Sequence, residues 1–445
     1  MPAETEIPET GATPFADRTA PLFAAFFLVA AVVFAITMVS VHARDPEELS
    51  KGGVSVRSQI VLSNWIRDGY FHYYGMINRD AVQKSIYRNS TGGYMVSGFI
   101  VEKLYSMVFG HYSYRLLALH NQVISMVISA LGGLLSYRLV RRLGIGARLG
   151  FAAGASVVAI LFTFPDNLDL YWEMSAQAYG LLFALLYFVI EERSVDLIER
   201  PRVVLIAQAA AVFLMTFMES IAALGFVVSL AIVMAVLGRN GSWKRYALVV
   251  ALPWIAAMGL YQLQVKAANA RFPEVVVTGS RALWRSGFDG DTRYYGDHLG
   301  IFTRRDVPRR DFPNSEYLFK WKWVFILGVL SVASLLLAYM RGRAPRLAVE
   351  ALAALTGSWL FYAAIFSQAI VVHPYLYDVL LFTPLCIALF AVAPALLESS
   401  TRRTGAIMLV IVFSAFWYSF YQMRLYALRR PMPPVPTVAE PAAKQ

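Results

Sequence analysis

From Leu22 to Val41 the chain reads LFAAFFLVAAVVFAITMVSV, twenty residues without a charge. A stretch of that length and polarity crosses a ~30 Å hydrocarbon core as a helix. In lipid a helix satisfies its backbone amides within one segment, which few other structures do. Comparable runs recur at 116–139, 149–164, 176–190, 203–218, 221–237, 246–263, 323–340, 347–371, 379–397 and 405–421. The expected fold is therefore an all-α polytopic membrane protein of about eleven transmembrane helices. Its two large outward-facing loops are expected to contain short amphipathic helices.

Composition agrees. Of the 445 residues 58% are hydrophobic and 16% charged, against about a quarter charged in soluble domains. The net charge of +11 is assigned to basic residues that orient spans rather than to nucleic-acid binding. The single cysteine, Cys386, lies in an apolar run, which excludes an intramolecular disulfide. The leader 1–21 is rich in Pro, Thr and Glu and reads as disordered. The first run has no small-residue cleavage site and reads as an uncleaved span. The membrane domain covers 22–421, and a Pro-rich flexible tail follows at 422–445.

Basic residues set the expected topology. Arg138, Arg141, Arg142 and Arg148 cluster after the second run, and GRNGSWKR and RGRAPR follow later ones. The short turns 165–175 and 372–378 contain no Lys or Arg. The cytoplasmic side holds the positive turns, so the N-terminus is expected inside, and the long loops 42–113 and 264–322 outside. Arg424, Arg429 and Arg430 violate this pattern with an odd number of spans. The composition, Ala-rich with Arg over Lys, suggests the inner membrane of a bacterium.

The insertion 42–113 is the larger exception to apolarity. A polar segment this long between two spans is a folded unit or part of a site, because structureless loops of ~15 residues are already uncommon. It interleaves arginines (Arg44, Arg57, Arg67, Arg79, Arg88) with Trp65, Tyr70, Phe71, Tyr73 and Tyr74. The aromatics suit either stacking on sugar rings or a small core. The stretch from Tyr94 to Phe109 has apolar residues at helical spacing and suits a helix lying on the bilayer.

Acids at helix ends are the candidate chemistry. Asp45 and Glu47 follow the first run, and Asp166, Asp169 and Glu173 fill the turn between the third and fourth. A carboxylate held there suits a general base or a ligand to a divalent cation, the one cofactor these acids suggest. Solvated loop acids are the plainer alternative. Arginines such as Arg57 suit a phosphate or, more simply, anionic head groups. The turn VVHPYLYD places His373, Tyr375 and Tyr377 at a helix end, as a binding group or an interfacial aromatic belt. Glu219, between two apolar runs, reads as a helix cap, and buried charge in the apolar runs is otherwise scarce.

The layout resembles the GT-C superfamily of integral-membrane glycosyltransferases, and within it the bacterial relatives of the protein O-mannosyltransferases. The residues that carry the resemblance are Asp45, NWIRDGYFHYYG, YRNSTGGYMVSGFIVEKLYSMVFG, Tyr114-Arg115-Leu116, SYRLVRRLG, PDNLDLYWE and VVHPYLYDVLLFTP. They lie mainly within 22–190, with an echo at 370–390. Pro46 separates Asp45 from Glu47 where that family often has adjacent acids, and Thr91-Gly92-Gly93-Tyr94 replaces a proline turn. The resemblance implies transfer of a sugar from a polyprenyl-phosphate donor to an acceptor hydroxyl on a glycan, lipid or protein. Asp45, Asp166 and Asp169 would be catalytic, and Glu47, Arg57, Glu173, His373, Tyr375 and Tyr377 would bind substrate. A transporter or flippase of lipid-linked glycans, or a ligase or polymerase of them, is the alternative.

Overall fold

The structure, a computed structural model, describes residues 19–41, 54–74, 77–78, 86–87, 93–142, 146–163, 176–194, 201–236, 242–271, 339–340 and 346–365. Eleven α-helices carry these residues: α1 (Thr19–Val41), α2 (Val54–Asp68), α3 (Val96–Phe109), α4 (Tyr114–Arg142), α5 (Ala147–Thr163), α6 (Ala176–Ser194), α7 (Arg202–Met218), α8 (Ser220–Val236), α9 (Ser242–Tyr246), α10 (Leu252–Arg271) and α11 (Arg346–Ile365). A two-residue antiparallel pairing, Ile77–Asn78 with Ile86–Tyr87, lies inside the insertion.

Three of these stretches are long and apolar enough to cross a membrane: Thr19–Ile36, Arg115–Arg142 and Trp243–Ala268. Arg202–Met218 and Ser220–Val236 are shorter apolar helices. The apolar runs at 379–397 and 405–421, and nearly all of 323–340, fall outside the described residues. The helix that holds the apolar run ending near 263 continues to Arg271. Hydropathy marks the length that suits lipid, whereas QLQVKAANAR remains a good helix former beyond it.

Two ends of the bundle are defined by hydrogen bonds. At one, Arg138 donates from Nη1 to Glu192 Oε2 (2.7 Å) and from Nη2 to Thr19 Oγ1 (2.8 Å). Arg142 donates from Nε to Glu192 Oε1 (3.0 Å). Arg245 reaches Glu191 and also donates to Gln208 Oε1 (2.9 Å). This arginine end gathers the start of α1, the ends of α4 and α6, and α9. The opposite end carries the insertion and is called the loop end below.

Small residues let the helices approach. A Cβ on Gly154 would lie 2.5 Å from the Gly133 carbonyl and 2.6 Å from the Phe26 ring, so α4 and α5 cross almost backbone to backbone with α1 against them. Gly357 of α11 meets Ser229 of α8 in the same way, with Gly225 one turn away. Without a hydrophobic drive between helices in lipid, such small-residue contacts are a main source of packing energy. Between α9 and α10 the chain makes a π turn over Ala247–Ala251. Pro253 follows it, and its ring nitrogen has no proton to donate to the preceding turn.

Candidate functional site

The loop end is built from the insertion upward. On α2, Ser58, Val61, Leu62 and Trp65 recur at helical spacing and are buried. Gly69, at φ 93°, ends that helix in a conformation open to glycine, and Gly69 N–H returns to the Trp65 carbonyl (2.9 Å). The turn Tyr70–Tyr73 follows. Trp65 meets Tyr70 and Phe99 edge to face, with centroids 4.9 and 5.9 Å apart. These rings, with Val61, Leu62, Tyr94, Met95, Leu117, Ala176, Tyr179 and Ala268, form a second apolar core. Trp65 is therefore a core residue, while Phe71 stays 82% exposed.

This core ties the insertion to the bundle. Ser97 and Tyr179 hydroxyls are 2.5 Å apart, joining α3 to α6. Gly93 lies against Phe217: a Cβ there would be 2.6 Å from the Phe217 ring and carbonyl oxygen, so only glycine fits. Arg271, the last residue of α10, reaches His72 Nδ1 (3.3 Å). Helix α3 turns Gly98 and Glu102 inward and leaves Ile100, Leu104, Met107, Val108 and Phe109 exposed. The stretch read as apolar at helical spacing over 94–109 is α-helical from Val96 to Phe109.

Glu102 fixes the next corner. Its Oε2 accepts the Ser113 N–H (3.0 Å) just before α4 begins. Burial pushes its carboxyl above the usual range, opposed by that hydrogen bond.

Glu219 is the residue whose surroundings were not legible in sequence. It is the single link between α7 and α8 and lies outside both helices. Its Oε1 accepts the Ile221 N–H (3.3 Å), so it does cap α8, as expected. It is also buried, with Oε2 accepting Gln177 Nε2 (3.2 Å) and Gly180 leaving room beside its Cβ. Burial pushes its carboxyl up to about 7, against the pull of the Ile221 and Ala222 amides. Buried acids are thus less scarce than the apolar runs suggest, since Glu191 and Glu192 are buried too. The only signal for Glu219 in the sequence is a lone acid between two charge-free runs.

Of the predicted site residues, Asp45, Glu47, Asp166, Asp169, Glu173, His373, Tyr375 and Tyr377 lie outside the described residues. Arg57 belongs to α2, and its side chain lies outside them as well. Their flanks are described. Val41 ends α1, Thr163 ends α5 and Ala176 begins α6. By the helix directions that the arginine-end bonds set, all three open at the loop end. Among the described residues no group of three His, Cys, Asp or Glu is placed to hold a metal.

The fold thus defines a helical bundle with helices long and apolar enough for a membrane, and one end covered by a docked insertion. No protein-family model, curated protein or solved structure matches the chain.

Proposed function

We propose that the chain is a GT-C-type glycosyltransferase of a bacterial inner membrane, with about eleven spans and the loop end facing outward. It moves a sugar from a polyprenyl-phosphate donor to an acceptor hydroxyl. The observation that carries this reading is the common end at which α1 stops, α5 stops and α6 starts. The segments bearing Asp45 and Asp166 depart from that end, beside the docked insertion. A single inverting displacement needs a base, a phosphate clamp and a site shielded from water. In this reading Asp45 takes the acceptor proton, and the acceptor oxygen bonds to the anomeric carbon. The lipid phosphate leaves with its electron pair. Asp166 or Asp169 orients the acceptor or a divalent cation. Arginines such as Arg57 hold the phosphate, and His373, Tyr375 and Tyr377 with Glu47 and Glu173 line the acceptor.

The test is transfer from a polyprenyl-phosphate sugar by purified protein in lipid. Asp45→Asn and Asp166→Asn, inserted and stable, should each lose about 10²-fold or more in rate, the usual scale for a lost general base. Transfer at the wild-type rate by both variants ends the proposal.

One observation favours the transporter alternative. Glu219 is a buried acid at a helix break, the kind of residue transporters place on an ion or substrate path. A flipping assay in proteoliposomes separates the two: a transporter moves the lipid-linked sugar with both aspartates replaced.

A further inference from the structure

Three neutral amides reach the carboxyl of Glu219: Gln177 Nε2 (3.2 Å), the Ile221 N–H (3.3 Å) and the Ala222 N–H. The two distances lie near the long limit for an N–H to oxygen bond. Among the described residues, the elements packed around it bring no opposite charge. Helix α6 presents Gln177 and Gly180, with Tyr179 already bonded to Ser97. Helix α8 presents the amides of its first turn. The cations of α10 at this end, Lys266 and Arg271, are exposed, and Arg271 meets His72. Among the described residues no cation pairs with Glu219. A buried carboxylate without a counter-charge is costly, and such a group takes up a proton instead.

Gln177 suits either state. Its amide offers N–H to a carboxylate, or its carbonyl to a carboxylic acid once the group turns over. A metal ion fits less well, because the three observed partners are donors and not oxygen ligands. The position also has a mechanical neighbour. Phe217, two residues before Glu219, is the surface on which Gly93 of the insertion rests. Tyr94 and Met95, next in that turn, are buried in the second core.

We propose that Glu219 is a proton-binding site at the link between α7 and α8, and that loss of its proton draws in water and lifts the Gly93–Met95 turn from Phe217. The bond broken is the Glu219 O–H, and the proton passes to solvent at the loop end. This inference does not depend on sugar transfer and applies equally to a transporter.

The test uses the full chain in lipid nanodiscs, with Cys386→Ala as background. Met95→Cys reports the buried turn, and Leu104→Cys, at an exposed position of α3, reports the thiol's own pH dependence. The ratio of their labelling rates by a neutral maleimide is followed from pH 5 to 9. We expect the ratio to rise at least fivefold through neutrality and to stay flat when Glu219→Gln is added. A flat ratio in the Glu219 protein, or an equal rise with Glu219→Gln, overturns the proposal. Should Glu219→Gln fail to insert, infrared titration of the otherwise native protein decides. A protonated carboxyl band lost near neutrality supports the site, and its absence above the ordinary glutamate range, ~4.3, overturns it.

Discussion

The two ends of the bundle bury polar groups in opposite ways. The arginine end buries Glu191 and Glu192 and meets each with guanidinium groups: Arg245 for the first, Arg138 and Arg142 for the second. The loop end buries Glu219 and Glu102 and meets each with amides, and joins Ser97 to Tyr179 through neutral hydroxyls. A charge-paired end is held by interactions that break only together. An end held by neutral hydrogen bonds and an aromatic core opens at lower cost. The difference separates an end held by ion pairs from an end held by amides, hydroxyls and an aromatic core.

Removing Glu192 should break this comparison hardest. Glu192→Ala leaves Arg138 and Arg142 without their shared carboxylate, and losing one side of a buried pair costs about 3–5 kcal/mol. We expect the protein in detergent to unfold as a whole at a clearly lower temperature. Unchanged melting would mean that the arginine end is no anchor.

Trp65→Ala should come next, at about 3 kcal/mol for an emptied aromatic site, but with a different symptom. The insertion should become sensitive to protease while the melting of the bundle moves little. A loss of melting temperature as large as that of Glu192→Ala would erase the distinction between the ends.

Gly154→Ala tests the scaffold between them. Its methyl would press on the Gly133 carbonyl, which is backbone and cannot swing aside. Overpacking of this kind costs about 1–3 kcal/mol, read as lower stability with protease resistance of the insertion intact. Tyr179→Phe should be smallest. It removes the hydroxyl facing Ser97, worth about 1 kcal/mol, and should speed cleavage of the insertion slightly without touching the melting of the bundle.

Much of the helical frame was legible in the sequence, because apolar length is a local property. The first run at 22–41 corresponds to Thr19–Val41, and the one at 176–190 to Ala176–Ser194. The helix after Tyr94 was legible for the same reason. What was not legible is non-local. Arg138 and Arg142 read as topology markers, yet their partner lies about fifty positions on, at Glu192. Trp65 left a choice between sugar stacking and core, which only Tyr70, Phe99 and the bundle could settle. Gly93 looked like one more turn glycine, and its reason is Phe217. Glu219 was readable as a cap but not as a buried group, because its burial comes from Gln177 and Gly180 on another helix.

The π turn at Ala247–Ala251 also sets a phase. Each residue advances an α-helix by about 100°, so one extra residue in a turn rotates everything before it against everything after it. Arg245, ahead of the turn, faces Glu191 and Gln208, while Ala268, beyond it, faces the core under the insertion. A single rod of regular pitch would have to choose which of these faces to satisfy. Deleting one residue from 247–251 would remove that offset, and the chain would lose either its grip on α6 or its seat beneath the insertion.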